Sequence, residues 1–267
     1  MNHKLSISLS LVLLALTTTL MAASPRFEKP WRHGKLCVRE NHRYMQHEDG
    51  TPFFWLGETG WLMPTKLNRT EVDNYLTHCA KAGYNVVQVQ TLNGVPSYNC
   101  YGQPSMIKDK KGDYFNFAPF DTKSPRTLAN AYTYWDHFDY IFDAAEQRGI
   151  YIGMVCIWGG LVKEGLMNET QARAYGKFLV ERYGNRPNVI WIMGGDQPGD
   201  VKPEVWQALA TTIRQSDTDH LMTYHPFGRT SSVRWWNETE WMDFNMFQSG
   251  HRRYGQKNGD GAPSPTS

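Results

Sequence analysis

Apolar residues recur along the chain in two rhythms. Unbroken or nearly unbroken runs occupy Pro52–Gly57, Val86–Gln90, Ile150–Trp158, Val189–Gly194, Leu221–His225 and Met242–Gln248. Between them, apolar positions fall three and four apart: Val72, Tyr75, Leu76 and Cys79; then Trp135, Phe138, Phe142 and Ala145; then Tyr175, Leu179 and Tyr183; then Val205, Leu209 and Ile213. A run with no polar alternation is a strand covered on both faces, as in a parallel sheet. The helical spacing buries one stripe of each intervening segment. Strands that alternate with helices in this way build a parallel sheet crossed by helices. Six strands are countable, so the expected fold class is α/β: a (β/α)8 TIM-barrel type, incomplete, with about six of eight units.

Local signals fix where these elements start and stop. Asn68 with Glu71, and Asn168 with Gln171, have the spacing of capping boxes. Gly83 and Gly149 end the helices before them, and Pro203 suits a first helical turn. Leu36–Arg39 and Arg43–Gln46 predict two short strands turning at Glu40-Asn41, with a further hairpin turn at Asp49-Gly50. This N-terminal β-hairpin precedes the first buried strand. From Thr91 to about Asn130 the chain is rich in Gly, Pro, Asn and Tyr, too long for an ordinary connection, which predicts a functional loop.

The ends of the chain read differently. Lys4, the apolar Leu9–Leu20 run and the small residues of Met21-Ala22-Ala23 predict a signal peptide over residues 1–23, hence a secreted or periplasmic protein. The apolar run is too short for a membrane span, and no cysteine follows it to take a lipid anchor. Residues 34–251 are expected to form the barrel domain. Residues 252–267 lack apolar periodicity and predict a disordered tail.

Charge and motif content remove several function classes. With 28 Lys+Arg against 26 Asp+Glu the formal net charge is +2, and no basic run exceeds two residues, so no nucleic-acid partner is expected. Neither G-x-G-x-x-G nor G-x-x-x-x-G-K-[ST] is present, which argues against nucleotide cofactors, and no cofactor is expected. Four cysteines could form disulfides in an exported protein, but no C-x-x-C pair suggests zinc, and Cys79 and Cys156 fall on apolar faces.

The candidate chemistry lies where the strands end. In α/β barrels the carboxyl ends of the strands carry the reactive groups. Val189 through Met193 runs into Gly194-Gly195-Asp196. Asp196 is the candidate general acid/base, or simply the cap of the next helix. Glu58, Trp61, Gln90, Trp158, His225, Asn245, Gln248 and His251 lie at the other strand exits as candidate substrate-binding residues. Carboxylates and amides bind hydroxyls, indole faces cover sugar rings, and a carbohydrate is therefore the expected partner. Asp243, at the start of its strand, is expected to be structural. Asp196, His225 and His251 follow no metal-ligand spacing, so no metal is assigned. Ser231-Ser232 and Ser249-Gly250 show no G-x-S-x-G elbow.

Five blocks, in order, resemble the apiosidase-like glycoside hydrolases of family 140. They are Asp49 through Trp61, Ala82 through Gln88, Val189 through Asp196, His225-Pro226-Phe227-Gly228, and Met242 through His251. The resemblance implies a (β/α)8 barrel, secretion, and retaining cleavage of plant pectic side chains such as apiosides. It also implies that Asp196, in the family's Gly-Gly-Asp motif, is the acid/base. Two departures stand out. The first strand ends Gly57-Glu58-Thr59 where the family has Gly-Asp-Thr, and no Asp-Gly-Glu stretch, which carries the family's nucleophile, follows His251. The expectation is therefore an enzyme truncated or frame-shifted near Gly261, with half of its catalytic pair and without the family's usual C-terminal module. The alternatives are a vestigial sugar-binding protein and, further off, a metal-dependent hydrolase.

Overall fold

In a computed structural model, residues 27–120 and 127–250 are described. The predicted signal segment, the tail and His251 lie outside the described residues. Strands β1 (Leu36–Val38), β2 (Met45–His47) and β3 (Pro52–Phe53) form a small antiparallel sheet in that order. Strands β4 (Gly57–Thr59), β5 (Val86–Gln90), β6 (Tyr151–Val155), β7 (Val189–Gly194) and β8 (Met222–His225) form one parallel sheet in chain order. Helices α1 (Met63–Lys66), α2 (Arg69–Lys81), α3 (Tyr134–Gln147), α4 (Gly159–Lys163), α5 (Glu169–Tyr183) and α6 (Pro203–Ser216) fall between these strands. This is the strand-and-helix progression of a TIM barrel, left open among the described residues.

Alternation along each strand divides its side chains between two faces. Val87, Val89, Ile152, Met154, Trp191, Met193, Met222 and Tyr224 join the large cluster under the helices. Val86, Tyr151, Ile190 and Leu221 point to the barrel axis, where Leu36 and Phe53 of the small sheet plug the amino-terminal end. Both expected capping boxes form, and Pro203 opens α6. A third box, Thr133 with Asp136, starts α3. Cys79 and Cys156 are buried, and all four cysteines are free thiols.

Two strand expectations are corrected. The Pro52–Gly57 run is not one buried strand: Phe53 belongs to β3, whereas Phe54 is 79% exposed. Asn85 causes the break. Its amide donates to the Phe54 carbonyl at 2.7 Å and its oxygen accepts from the Leu56 N–H at 2.9 Å, replacing ladder bonds there. Met242–Gln248 is not a sixth parallel strand. Asp243 N–H donates to the Met222 carbonyl, and Thr223 Oγ1 to the Phe244 carbonyl, so the segment starts beside β8. It then leaves, because Ser232 Oγ accepts from Met246 N–H and Arg229 N–H donates to the Gln248 carbonyl. Phe247–Gln248 (β10) pairs antiparallel with Thr230–Ser231 (β9), and the parallel sheet has five strands.

The long Thr91–Asn130 connection packs on the helix layer. Phe115, Phe117 and Phe120 are buried, and Phe117 stacks on Phe178 of α5 at 4.4 Å. None of its described residues lines the axial cavity.

Candidate active site

The cavity is shaped by the way β7 ends. Gly194, Gly195 and Asp196 have φ of +83°, +121° and +53°, three successive left-handed residues that swing the chain off the strand. Glycine is required at the first two. A Cβ on Gly194 would lie 2.5 Å from the His225 carbonyl oxygen, and one on Gly195 2.7 Å from the Trp158 ring. Asp is among the few side-chain-bearing residues that visit this region, at a cost of about 1–2 kcal/mol. Asp196 does not cap the next helix, whose N-cap is Lys202. The turn instead lifts its carboxyl over the strand ends.

That carboxyl faces a cavity of about 610 Å³ open along the axis. Trp61, Trp158 and His225 form one wall, with Trp61 and Trp158 5.6 Å apart at 59° and the imidazole edge-on to Trp61 at 5.6 Å. Thr59 and Gln88 line its depth, and Asn245 through Gly250 cross its open side. Gln248 Nε2 donates to Asp196 Oδ1 at 2.9 Å, and His225 Nδ1 lies 4.0 Å from the same oxygen. Burial lowers the His225 pKa below its usual value, and the Asp196 carboxylate opposes that only in part. The cavity wall therefore favours the neutral ring.

The structure gathers Asp196, Trp61, Trp158, His225, Asn245 and Gln248 around this space. It does not bring in Glu58. Glu58 sits inside β4 opposite Val87, and its neighbours Tyr75 and Cys79 belong to α2. Its Oε1 accepts from the Thr59 N–H at 2.8 Å, and Thr59, one residue on, takes the axial position expected of Glu58. Gln90 is buried at the top of β5 and is not in the lining; Gln88, two residues back on the same face, is. The i, i+2 spacing of Val86, Gln88 and Gln90 carried that signal. Met45, Trp55 and Phe244 also line the cavity and were not singled out from the sequence. Asp243 is structural: its Oδ2 accepts from Arg214 at 2.6 Å and from Met222 N–H at 2.7 Å. Among the described residues, Asp196 is the only acidic side chain in the lining, and no three His, Cys, Asp or Glu residues meet as a metal cluster.

The open parallel α/β barrel carries a carboxylate and two indoles in one cavity at its strand ends, a lining suited to a sugar. The profile of the apiosidase-like catalytic domain matches residues 39–264. The chain belongs to the apiosidase-like family of glycoside hydrolases. A family 5 glycoside hydrolase from Bacteroides vulgatus ATCC 8482 is 61% identical, with a TM-score of 0.81 over 87% of this chain and 48% of its own. A second solved structure, described as a glycoside hydrolase, is 58% identical with a TM-score of 0.82, over 88% of this chain and 51% of its own. The probable mannan endo-1,4-beta-mannosidase F of Aspergillus flavus is 25% identical over 167 residues, 55% of this chain and 34% of that protein. The chain thus spans about half the length of the solved relatives and a third of the curated one. Among the described residues no helix is long and apolar enough to cross a membrane.

Proposed function

We propose that the protein is an exported glycoside hydrolase, or the amino-terminal part of one, that acts by a retaining mechanism on apioside side chains of plant cell-wall polysaccharides. Asp196 is its general acid/base. The observation that carries this is the placement of the Asp196 carboxyl: half-exposed, steadied on one oxygen by Gln248, and set beside the indoles of Trp61 and Trp158. An acid there can protonate the departing glycosidic oxygen while the ring lies against tryptophan. Retention needs a second carboxylate roughly 5 Å from the first. No other acid lines the cavity among the described residues, so the retaining reading requires a nucleophile from outside them.

The same single-carboxylate cavity supports a second reading, a sugar-binding protein that no longer cleaves. One experiment tests the substrate that both readings share, and turnover in it would remove the second. The 267-residue chain is titrated with an apioside and, separately, with a β-mannan oligosaccharide, and both are assayed for released sugar. The expected result is apioside binding with little or no turnover. Turnover abolished by Asp196→Ala would place a working nucleophile within the chain. Binding of the mannan oligosaccharide in preference to the apioside would overturn the substrate assignment.

A further inference from the structure

His225 meets the Asp196 turn at two points. Gly195 N–H donates to the His225 carbonyl oxygen at 2.9 Å, and Asp196 N–H donates to His225 Nδ1 at 3.4 Å. A ring nitrogen that accepts a hydrogen bond carries no proton, so in the neutral imidazole the proton sits on Nε2. Trp61 at 5.6 Å and Trp158 at 5.8 Å hold the ring in the cavity wall.

We propose that His225 is a positioning residue for Asp196 and, through the same contact, a fixed hydroxyl donor. Nδ1 holds the backbone of Asp196 in its left-handed conformation. That bond locks the tautomer and leaves the proton on Nε2 of a ring that lines the cavity. The ring does not relay a proton, because Nδ1 is occupied by a backbone donor. The donor half of this assignment rests on the sugar reading above; the clamp half does not.

Two substitutions separate the halves. His225→Asn keeps an acceptor near the Nδ1 position and removes the Nε2 donor. His225→Gln reaches the Nε2 position and removes the clamp. On the full chain with ¹⁵N-labelled histidine at pH 7, the expected spectrum shows Nε2 protonated and Nδ1 bare. Exchange of the Asp196 amide proton is expected to accelerate about tenfold or more in His225→Gln and to stay near wild type in His225→Asn, since roughly one net hydrogen bond is lost. Methyl β-apioside is expected to bind about tenfold more weakly to His225→Asn and nearly as well to His225→Gln. A protonated Nδ1, or unchanged Asp196 exchange in His225→Gln, would overturn the clamp. Equal apioside affinity of His225→Asn and wild type would overturn the donor. Failure of the wild-type chain to bind the apioside would overturn the sugar reading and the donor with it, while the tautomer and exchange results still decide the clamp.

Discussion

The two faces of the parallel sheet are built to different rules. The face under the helices is a continuous apolar layer in which Phe138 touches the rings of Tyr134, Trp135, Phe142 and Tyr183. The axial face gathers a separate apolar cluster at its amino-terminal end, around Val86, Tyr151, Ile190 and Leu221. Above that, Gln88 and Ile192 press on Gly153, whose Cβ would sit 3.0 and 3.1 Å from them, and then the cavity opens. One face buries area without interruption because helices cover it. The other gives up burial where the cavity opens.

The largest expected effect tests the closed face. Phe138→Ala removes a fully buried ring from its centre and should destabilise by about 3–5 kcal/mol, read from urea denaturation. Apioside affinity of the fraction still folded should be unchanged. On the open face the order inverts. Trp158→Ala should weaken apioside binding by about ten- to a hundredfold, in the range for an aromatic anchor in a pocket, while denaturation midpoints move little. Equal destabilisation by both variants would break the comparison, since Trp158 would then be a core residue that happens to border the cavity.

A smaller effect appears with acid, and it again lies on the helix-facing side. Burial disfavours the Asp217 carboxylate, but hydrogen bonds from His220, the His220 charge and the Trp191 indole outweigh it, and the pKa falls to about 2. The indole donates at 2.7 Å and anchors β7 to the end of α6. A carboxyl depressed on folding stabilises the native state above its unfolded value and loses that contribution as pH falls. Stability on the order of 1–2 kcal/mol should therefore disappear between about pH 5 and pH 2. Asp217→Asn should flatten that part of the acid profile.

The helix-facing side was also the legible one. Apolar positions three and four apart mark α2, α3, α5 and α6 without knowledge of their neighbours, and two of three capping boxes announce themselves in their residue types. Thr133-Asp136 is less conspicuous because its third-position residue is Asp, shorter than the usual Glu or Gln. The Gly-Gly-Asp run was legible as part of the cavity rim because a carboxylate followed a buried strand. Face assignment on short strands was not. A one-residue difference in where β4 ends exchanges Glu58 for Thr59 at the axis. The break after Phe53 depends on Asn85, about thirty residues downstream. The direction of the last strand depends on Ser232 and Arg229, which no periodicity within Met242–Gln248 records.

The smallest expected effect bears on how far the two faces are independent near the strand ends. Asn168 and Gln171 cap α5 reciprocally, and Gln171 also reaches out: its Nε2 donates to Asp113 Oδ1 at 3.0 Å. Asp113 in turn accepts from the Phe115 N–H, just before the aromatic residues that seat the long connection on α3 and α5. Asn168→Ala removes one cap and should cost about 1 kcal/mol. Gln171→Ala removes the reciprocal bond and the tether together, so its cost should exceed that of Asn168→Ala by a few tenths of a kcal/mol to about 1 kcal/mol, with faster amide exchange at Phe115. Neither residue borders the axial cavity, so apioside affinity should be the same in both variants as in wild type. Weakened binding in Gln171→Ala alone would show that the long connection steadies the Trp158 turn through α5, and the sheet's two faces would then be coupled at the rim.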